Sequence, residues 1–175
     1  MKHLMEDDLN RRIVAELQAE GRITHAELAE RMGVSRPTII ERVKRLEAEG
    51  VLKGYAAVVD HAAVLKPVMA FVAVRYKADN NEALEQKFWD TLQREPDVLE
   101  AHTVAGEDCL LLKIVADTPQ GLSERLRRIR MAGPHVTTRT TVVLQTHFDK
   151  PGASPFPLEP RPAMPMKPLK KVERA

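Results

Sequence analysis

The chain is poor in cysteine, in long apolar runs and in net charge, and each shortage excludes something. A lone cysteine, Cys109, cannot close an intrachain disulfide, and no cysteine spacing of the metal-binding kind exists. No apolar stretch approaches the roughly 18–20 residues that a membrane-spanning helix needs. The opening MKHLMEDDLN is acidic and polar with no hydrophobic segment behind it, which argues against a secretory signal. These shortages point to a reducing, cytoplasmic setting with no membrane partner. A net charge of +2 is too small to diagnose a nucleic-acid binder from bulk electrostatics.

What is present suits a folded chain. At 175 residues, 43% apolar and 30% charged, it has material for one domain or two small ones. Leu9, Ile13 and Leu17 recur at helical spacing, with Asp7 and Asp8 favourable near the positive end of that helix. Thr24 and Glu27 match a capping box, and Leu28, Ala29 and Met32 supply the buried side of a second helix broken at Gly33. Ser35 caps a third, with Pro37 tolerated in its first turn and Gly50 closing it. Two helices hinged at a glycine make a helix-turn-helix.

Charge placement then matters more than its total. Residues 1–60 hold ten Lys/Arg against eleven Asp/Glu, so this part has no overall basic field, yet Arg36, Arg42, Lys44 and Arg45 all fall on the third helix. On a helical wheel Ile39, Val43 and Leu46 form its core stripe, with Pro37, Glu41, Lys44 and Arg45 roughly opposite. Arg36, Thr38 and Ile40 flank the first turns, the part of a recognition helix that reaches base edges. Arg36 suits guanine O6/N7 and Ile40 a thymine methyl. Lys44 and Arg45 suit phosphates, and Ser35 with the helix N-terminus offers donors to another. Arg42 lies beside the core stripe, where a structural salt bridge or a phosphate contact fits better than base readout. Double-stranded DNA is the expected partner of this helix.

After Gly50 the pattern changes. VLKGYAAVV reads as a strand or short hairpin resembling a wing, and DHAAVLKP as a linker. Beyond it come an apolar strand (68–76), a helix (81–95) with Leu84, Phe88 and Leu92 on one face, strands at 97–105 and 109–116 joined by the turn GED, a helix (118–131) with Leu122, Leu126 and Ile129 inward, and a long final strand (135–148). The order βαββαβ is the ferredoxin-like arrangement, an antiparallel sheet with two helices on one face. AFVAVRY and CLLLKIV are apolar on both alternations, so the other face needs a cover, and a homodimer partner is the economical one. The expected divisions are a DNA-binding head (1–50), a wing or linker (51–66), an effector and oligomerisation domain (67–148) and a tail (149–175). Seven of the twelve prolines lie in that tail, which reads as a disordered, weakly basic extension, either a solvated appendage or an aid to DNA or protein binding.

The segments LNRRIVAELQAEGRITHAELAERMGVSRPTIIERVKRLEAEGVLKGYAAVVD and HTVAGEDCLLLKIVA resemble the Lrp/AsnC, or feast/famine, family of transcriptional regulators, and the likeness runs from Leu4 to about Phe148. It implies an α+β chain, with a winged-helix-like head and a ferredoxin-like βαββαβ (RAM) domain. It also implies dimers that often assemble into octamers, pseudo-palindromic operators, and an amino-acid-like effector bound near the glycine turn after the second RAM strand. By position that site comprises Thr103, Val104, Ala105, Gly106, Glu107, Asp108 and Cys109. Gly106 lets backbone approach a ligand, an acid can receive an α-ammonium and turn amides a carboxylate; the same residues also satisfy a tight turn on conformational grounds alone.

Many members read Gly-x-x-Asp-Tyr here, whereas this chain places Cys109 and Leu110 at the last two positions. Either the acidic role has moved to Asp108, or the ligand differs, or no amino acid binds. Asp108, Cys109 and nearby His102 lack a metal-defining spacing, so no metal and no cofactor is expected. An architectural DNA-binding protein without effector stands as the alternative. Some Lrp-like chains are thought to be haem-precursor decarboxylases, but His102, His135, His147 and Arg139 show no catalytic spacing, and an enzyme is not expected.

Overall fold

Each helix of the head begins on a capping side chain, and the second and third end at glycines. In the computed structural model, which describes residues 2–76, 82–133, 135–150 and 152–156, the chain forms two units. One comprises residues up to Ala56 together with the described residues from Asp149 on; the other is Ala57–Phe148. The head holds α1 (Asp8–Ala19), α2 (His25–Met32) and α3 (Arg36–Ala48), preceded by a 3-10 turn at Lys2–Met5. Both halves of the Thr24–Glu27 capping box are made, Glu27 N–H donating to Thr24 Oγ1 (3.2 Å) and Thr24 N–H to Glu27 Oε2 (2.8 Å). Gly33 adopts φ 69°, and the N–H groups of Gly33 and Val34 bond back to Glu30 and Ala29, so α2 ends in a tight left-handed turn. Gly50, also at φ 69°, ends α3 the same way through Gly50 N–H to Glu47 O and Val51 N–H to Leu46 O. The core is Ile13, Val14, Leu17, Ile23, Leu28, Ala29, Met32, Ile39, Val43 and Leu46.

The second unit has β1 (Val68–Arg75), α4 (Glu82–Arg94), β2 (Val98–Thr103), β3 (Leu110–Ala116), α5 (Pro119–Ala132) and β4 (Thr137–Val142). The sheet is antiparallel throughout in the order β2-β3-β1-β4, so the apolar β1 and β3 are central, with Val72 opposite Leu112 on one side and Thr140 on the other. Ala70, Val72, Val74, Leu110, Leu112 and Ile114 face the helices and meet Phe88, Leu92, Leu122, Leu126 and Ile129. The opposite alternation leaves Phe71 and Leu111 exposed within the chain. The expected βαββαβ order is present, and the side chain of Leu84, the residues at 77–81 and the tail past Phe156 lie outside the described residues.

Two expectations fail. Residues 51–59 form no strand; after Leu52 the backbone runs on unpaired with any described strand, leaving Tyr55, Val58 and Val59 exposed. The final strand is also shorter than 135–148. His135 sits in a turn at φ 52°, and regular pairing stops at Val142 opposite Ala70, near the start of β1; Leu144 and Phe148 are exposed beyond it.

Asp97, buried at the end of the α4–β2 connection, receives Lys66 Nζ (3.0 Å) and the guanidinium of Arg125, tying the segment before β1 and helix α5 to one carboxylate. Burial alone raises its pKa, but the bonds from Lys66 and Arg125 outweigh this and hold it below the ordinary 3.8. A depressed carboxyl stabilises the fold above its unfolded pKa and loses that contribution as pH falls through its folded one. Asp97→Asn is therefore expected to cost roughly 1–3 kcal/mol at neutral pH in denaturant titrations. The gap from wild type should narrow as pH falls below about 4.

Candidate nucleic-acid interface and effector turn

The third helix is held from behind and open in front. Asp7 caps α1 through Oδ1, which accepts from the amides of Leu9 (2.9 Å) and Asn10 (3.4 Å), while its Oδ2 is bonded to Arg42 of α3. Asn10, almost wholly buried, accepts from the same guanidinium at 3.0 Å and donates to the carbonyl of Leu4 at 2.8 Å. The bond from Arg42 is the main reason the Asp7 carboxyl lies below its ordinary range. Arg42 thus fastens α3 to α1, in line with the structural role weighed for it, and its side chain is engaged inside the head.

The remaining residues expected at DNA divide by exposure. Arg36, Pro37, Glu41, Lys44 and Arg45 are exposed, and Thr38 and Ile40 are half-buried. Among the described residues Arg36, Lys44 and Arg45 have no acidic partner, whereas Arg31 on α2 is bound to Glu16 (2.6 Å) and Glu20 (2.9 Å). Ser35 Oγ accepts the amide of Thr38 at 3.3 Å and lies 2.7 Å from its hydroxyl, so it caps α3 and leaves the first-turn amides facing outward. In a near-neutral head where Arg11, Arg31 and Arg42 are each paired with an acid, α3 presents Arg36, Lys44 and Arg45 without one. That arrangement matches a groove lined by phosphates.

In the second unit the turn Gly106-Glu107-Asp108 crosses from β2 to β3, with Gly106 at φ 142°, where a side chain would be strained. Val104 N–H bonds Cys109 O (3.1 Å), Cys109 N–H bonds Val74 O (2.9 Å), and the Cys109 thiol points to Tyr76 O at 3.6 Å. Thr103, Ala105 and Glu107 are exposed; Val104, Asp108 and Cys109 are half-buried. Asp108 reaches over β1 to Arg139 on β4 at 2.7 Å, and Glu107 approaches Arg75 at 3.6 Å. A shallow pocket of about 190 Å³ opens beside the first pair, lined by Ala73, Arg75, Asp108, Thr137, Thr138 and Arg139. Of these, sequence reasoning placed only Asp108 at the effector site. A usable signal existed for the others: alternation along β1 sets Ala73 and Arg75 on the face away from the core, and Arg139 is the lone cation in a run of threonines.

Among the described residues no three His, Cys, Asp or Glu side chains are grouped to hold a metal ion. His102 is bonded to Glu100 (3.1 Å) on β2, at one sheet edge, while His135 and His147 flank β4, at the other edge. No helix among the described residues is long and apolar enough to cross a membrane.

A helix-turn-helix whose last helix presents unpaired cations, followed by a ferredoxin-like unit with a charged pocket at a glycine turn, defines a ligand-sensing DNA-binding regulator. Family models place it further. Residues 6–53 match winged helix-turn-helix DNA-binding, and residues 69–153 match the Lrp/AsnC ligand binding domain. The HTH-type transcriptional regulator LrpA of Mycobacterium tuberculosis is 36% identical over 142 residues, covering 81% of this chain and 92% of that protein. The leucine-responsive regulatory protein of Escherichia coli K12 is 32% identical over 140 residues, 79% of this chain and 85% of that one. A solved feast or famine regulatory protein from M. tuberculosis, complexed with L-methionine, aligns with TM-score 0.76 at 34% identity over 85% of this chain and 98% of that one. The chain belongs to the Lrp/AsnC family of DNA-binding transcriptional regulators.

Removing the Arg42 guanidinium strips partners from Asp7 and the buried Asn10. Arg42→Ala should destabilise the chain by roughly 1–3 kcal/mol in chemical unfolding. Arg36→Ala and Lys44→Ala, on the open side, should stay within about 0.5 kcal/mol of wild type.

Proposed function

We propose that this regulator reads its operator through the first turns of α3 and senses a free α-amino acid at the pocket beside Asp108. The observation that carries the first half is the contrast on α3 between Arg42, engaged from behind, and Arg36, Lys44 and Arg45, unpaired in front. Arg36 reads a base edge, with Thr38 and Ile40 beside it, while Lys44, Arg45 and the Ser35-capped amides take phosphates. Pro37 and Glu41 lie on the same side and shape its approach to the groove.

The second half rests on charge geometry. A free amino acid is a zwitterion, and the pocket offers both signs: Asp108 for the ammonium, Arg139 and Arg75 for the carboxylate, with Glu107 3.6 Å from Arg75. Binding exchanges an internal ion pair for two ligand contacts, so the cost of opening the Asp108–Arg139 pair is offset within the site. The solved M. tuberculosis relative with L-methionine supports this ligand class. Thr103, Val104, Ala105, Gly106 and Cys109 supply the turn that sets Asp108 in place, so in this chain Asp108 takes the acidic role.

The exposed Phe71 and Leu111 at the middle of the open sheet face are covered by a second copy, giving at least a dimer and a pseudo-palindromic operator, with octamers the family's further option. The protein acts in the cytoplasm as a regulator and not as an enzyme. Its divisions are the head (1–50), linker (51–66), RAM domain (67–148) and tail (149–175).

Binding to fragments carrying the operator tests the head. Arg36→Ala should weaken it by roughly 1–3 kcal/mol and relax sequence preference, whereas Lys44→Ala should weaken all duplexes alike and flatten the salt slope by about one unit. Wild-type binding by both would remove α3 from the interface. Thermal unfolding with each of the twenty amino acids tests the pocket. An effector at a hundredfold over its dissociation constant stabilises by about 2.7 kcal/mol, and Arg139→Ala and Asp108→Ala should abolish that gain while sparing DNA binding. Stabilisation that survives both substitutions would place the effector elsewhere.

A further inference from the structure

The pocket beside Asp108 carries more positive than negative charge. Among the described residues its walls hold two guanidiniums, Arg75 and Arg139, against one carboxylate, Asp108. A further guanidinium stands at the rim, where Arg130 of α5 donates to Thr138 Oγ1 at 3.0 Å. Glu107 offsets little of this. Its side chain is 85% exposed, and at 3.6 Å from Arg75 it makes a pair that solvent screens and a competing carboxylate displaces readily.

The two wall arginines stand at diagonal positions of the β1–β4 ladder. Ala73 lies opposite Arg139, and Arg75 lies opposite Thr137. Diagonal neighbours of this kind are roughly 7–8 Å apart, far enough for each long side chain to hold its own carboxylate. Ala73 adds only a methyl group between them, so the space is left open. The lining also disfavours an aliphatic ligand side chain. Burying such a group stabilises by removing apolar surface from water into apolar surroundings. Here, among the described residues, Ala73 is the one apolar residue of the walls; an aliphatic group would instead cover guanidiniums and hydroxyls and strip their water without replacing it. At about 190 Å³ the pocket is smaller than the roughly 300–1,000 Å³ of sites for drug-sized ligands, which suits a small metabolite.

We propose that the effector is a dicarboxylic α-amino acid, aspartate or glutamate, and that Arg75 is the residue that selects it. Asp108 holds the α-ammonium, Arg139 the α-carboxylate and Arg75 the side-chain carboxylate. The net negative charge of such a ligand neutralises the surplus guanidinium of the walls. A monocarboxylic zwitterion leaves Arg75 with only its screened contact to Glu107. This inference rests on the amino-acid reading of the pocket and narrows it to one class of ligand.

The test is isothermal titration of the full-length protein with the twenty amino acids, succinate and glutarate. L-aspartate or L-glutamate should bind most tightly of the twenty, at least about tenfold better than its own amide, because charge-assisted hydrogen bonds are the stronger kind. Succinate and glutarate keep both carboxylates but lack the ammonium, and should bind at least about tenfold more weakly than the matching amino acid. Arg75→Gln should bring the acid down to the level of its amide while the amide itself stays within about threefold of its wild-type affinity. Arg75→Lys keeps the charge but loses the planar fork, and should retain part of the preference. Tightest binding by any other amino acid, or an acid no tighter than its amide, would overturn the inference and leave an amino-acid sensor standing. Preference for the acid undiminished in Arg75→Gln would overturn the role of Arg75. Binding by none of the twenty would overturn the amino-acid reading along with the inference.

Discussion

Presentation of α3, the helix proposed to read DNA, depends on one carboxylate with two tasks. Apolar burial holds α1, α2 and α3 together but is non-directional, and Ile39, Val43 and Leu46 alone leave the rotation of α3 loosely set. Asp7 removes that freedom by capping α1 with one oxygen and binding Arg42 with the other, while buried Asn10 joins Arg42 to the carbonyl of Leu4. The start of the chain, the first helix and the third are thereby fixed to one another through directional bonds. With Arg42 turned inward, Arg36, Lys44 and Arg45 are left to face outward. Which cation lies behind the helix and which lie in front is thus decided by a contact spanning 35 residues of sequence.

The second unit uses the sheet in the same two-sided way. The helix-facing side is closed by Phe88, Leu92, Leu122, Leu126 and Ile129. Its opposite side carries Phe71 and Leu111 centrally, with Arg75, Arg139 and the acids of the β2–β3 turn at one end. An apolar centre suits a second copy, and a charged end suits a small zwitterion. Placing both on one sheet gives a physical route by which a ligand that opens the Asp108–Arg139 pair would be felt by the packing of copies, and so by the spacing of heads on DNA.

Local rules made much of this legible. The Thr24–Glu27 box, the glycines at 33 and 50 and the Ser35 cap each act within a few residues, and all are present as read. The strands that read as apolar on both alternations are the two central ones, β1 and β3. What failed depended on partners outside the window. VLKGYAAVV has strand composition but pairs with no described strand, and the last strand stops opposite Ala70, near the start of β1. The Asp108–Arg139 and Asp7–Arg42 pairs join residues 31 and 35 positions apart, and no spacing rule announces such contacts. The glycine and acids of the β2–β3 turn were legible as a turn; that Asp108 and Glu107 meet Arg139 and Arg75 was not.

The central claim is that one molecule couples sequence reading by α3 to an amino acid sensed in the RAM domain. Selecting genomic fragments bound by the full-length protein, with and without a mixture of the twenty amino acids, tests both parts together. The account predicts enriched fragments sharing a pseudo-palindromic motif, with occupancy that shifts when the mixture is present. Fragments enriched without any shared motif would contradict it, as would a motif whose occupancy is indifferent to every amino acid.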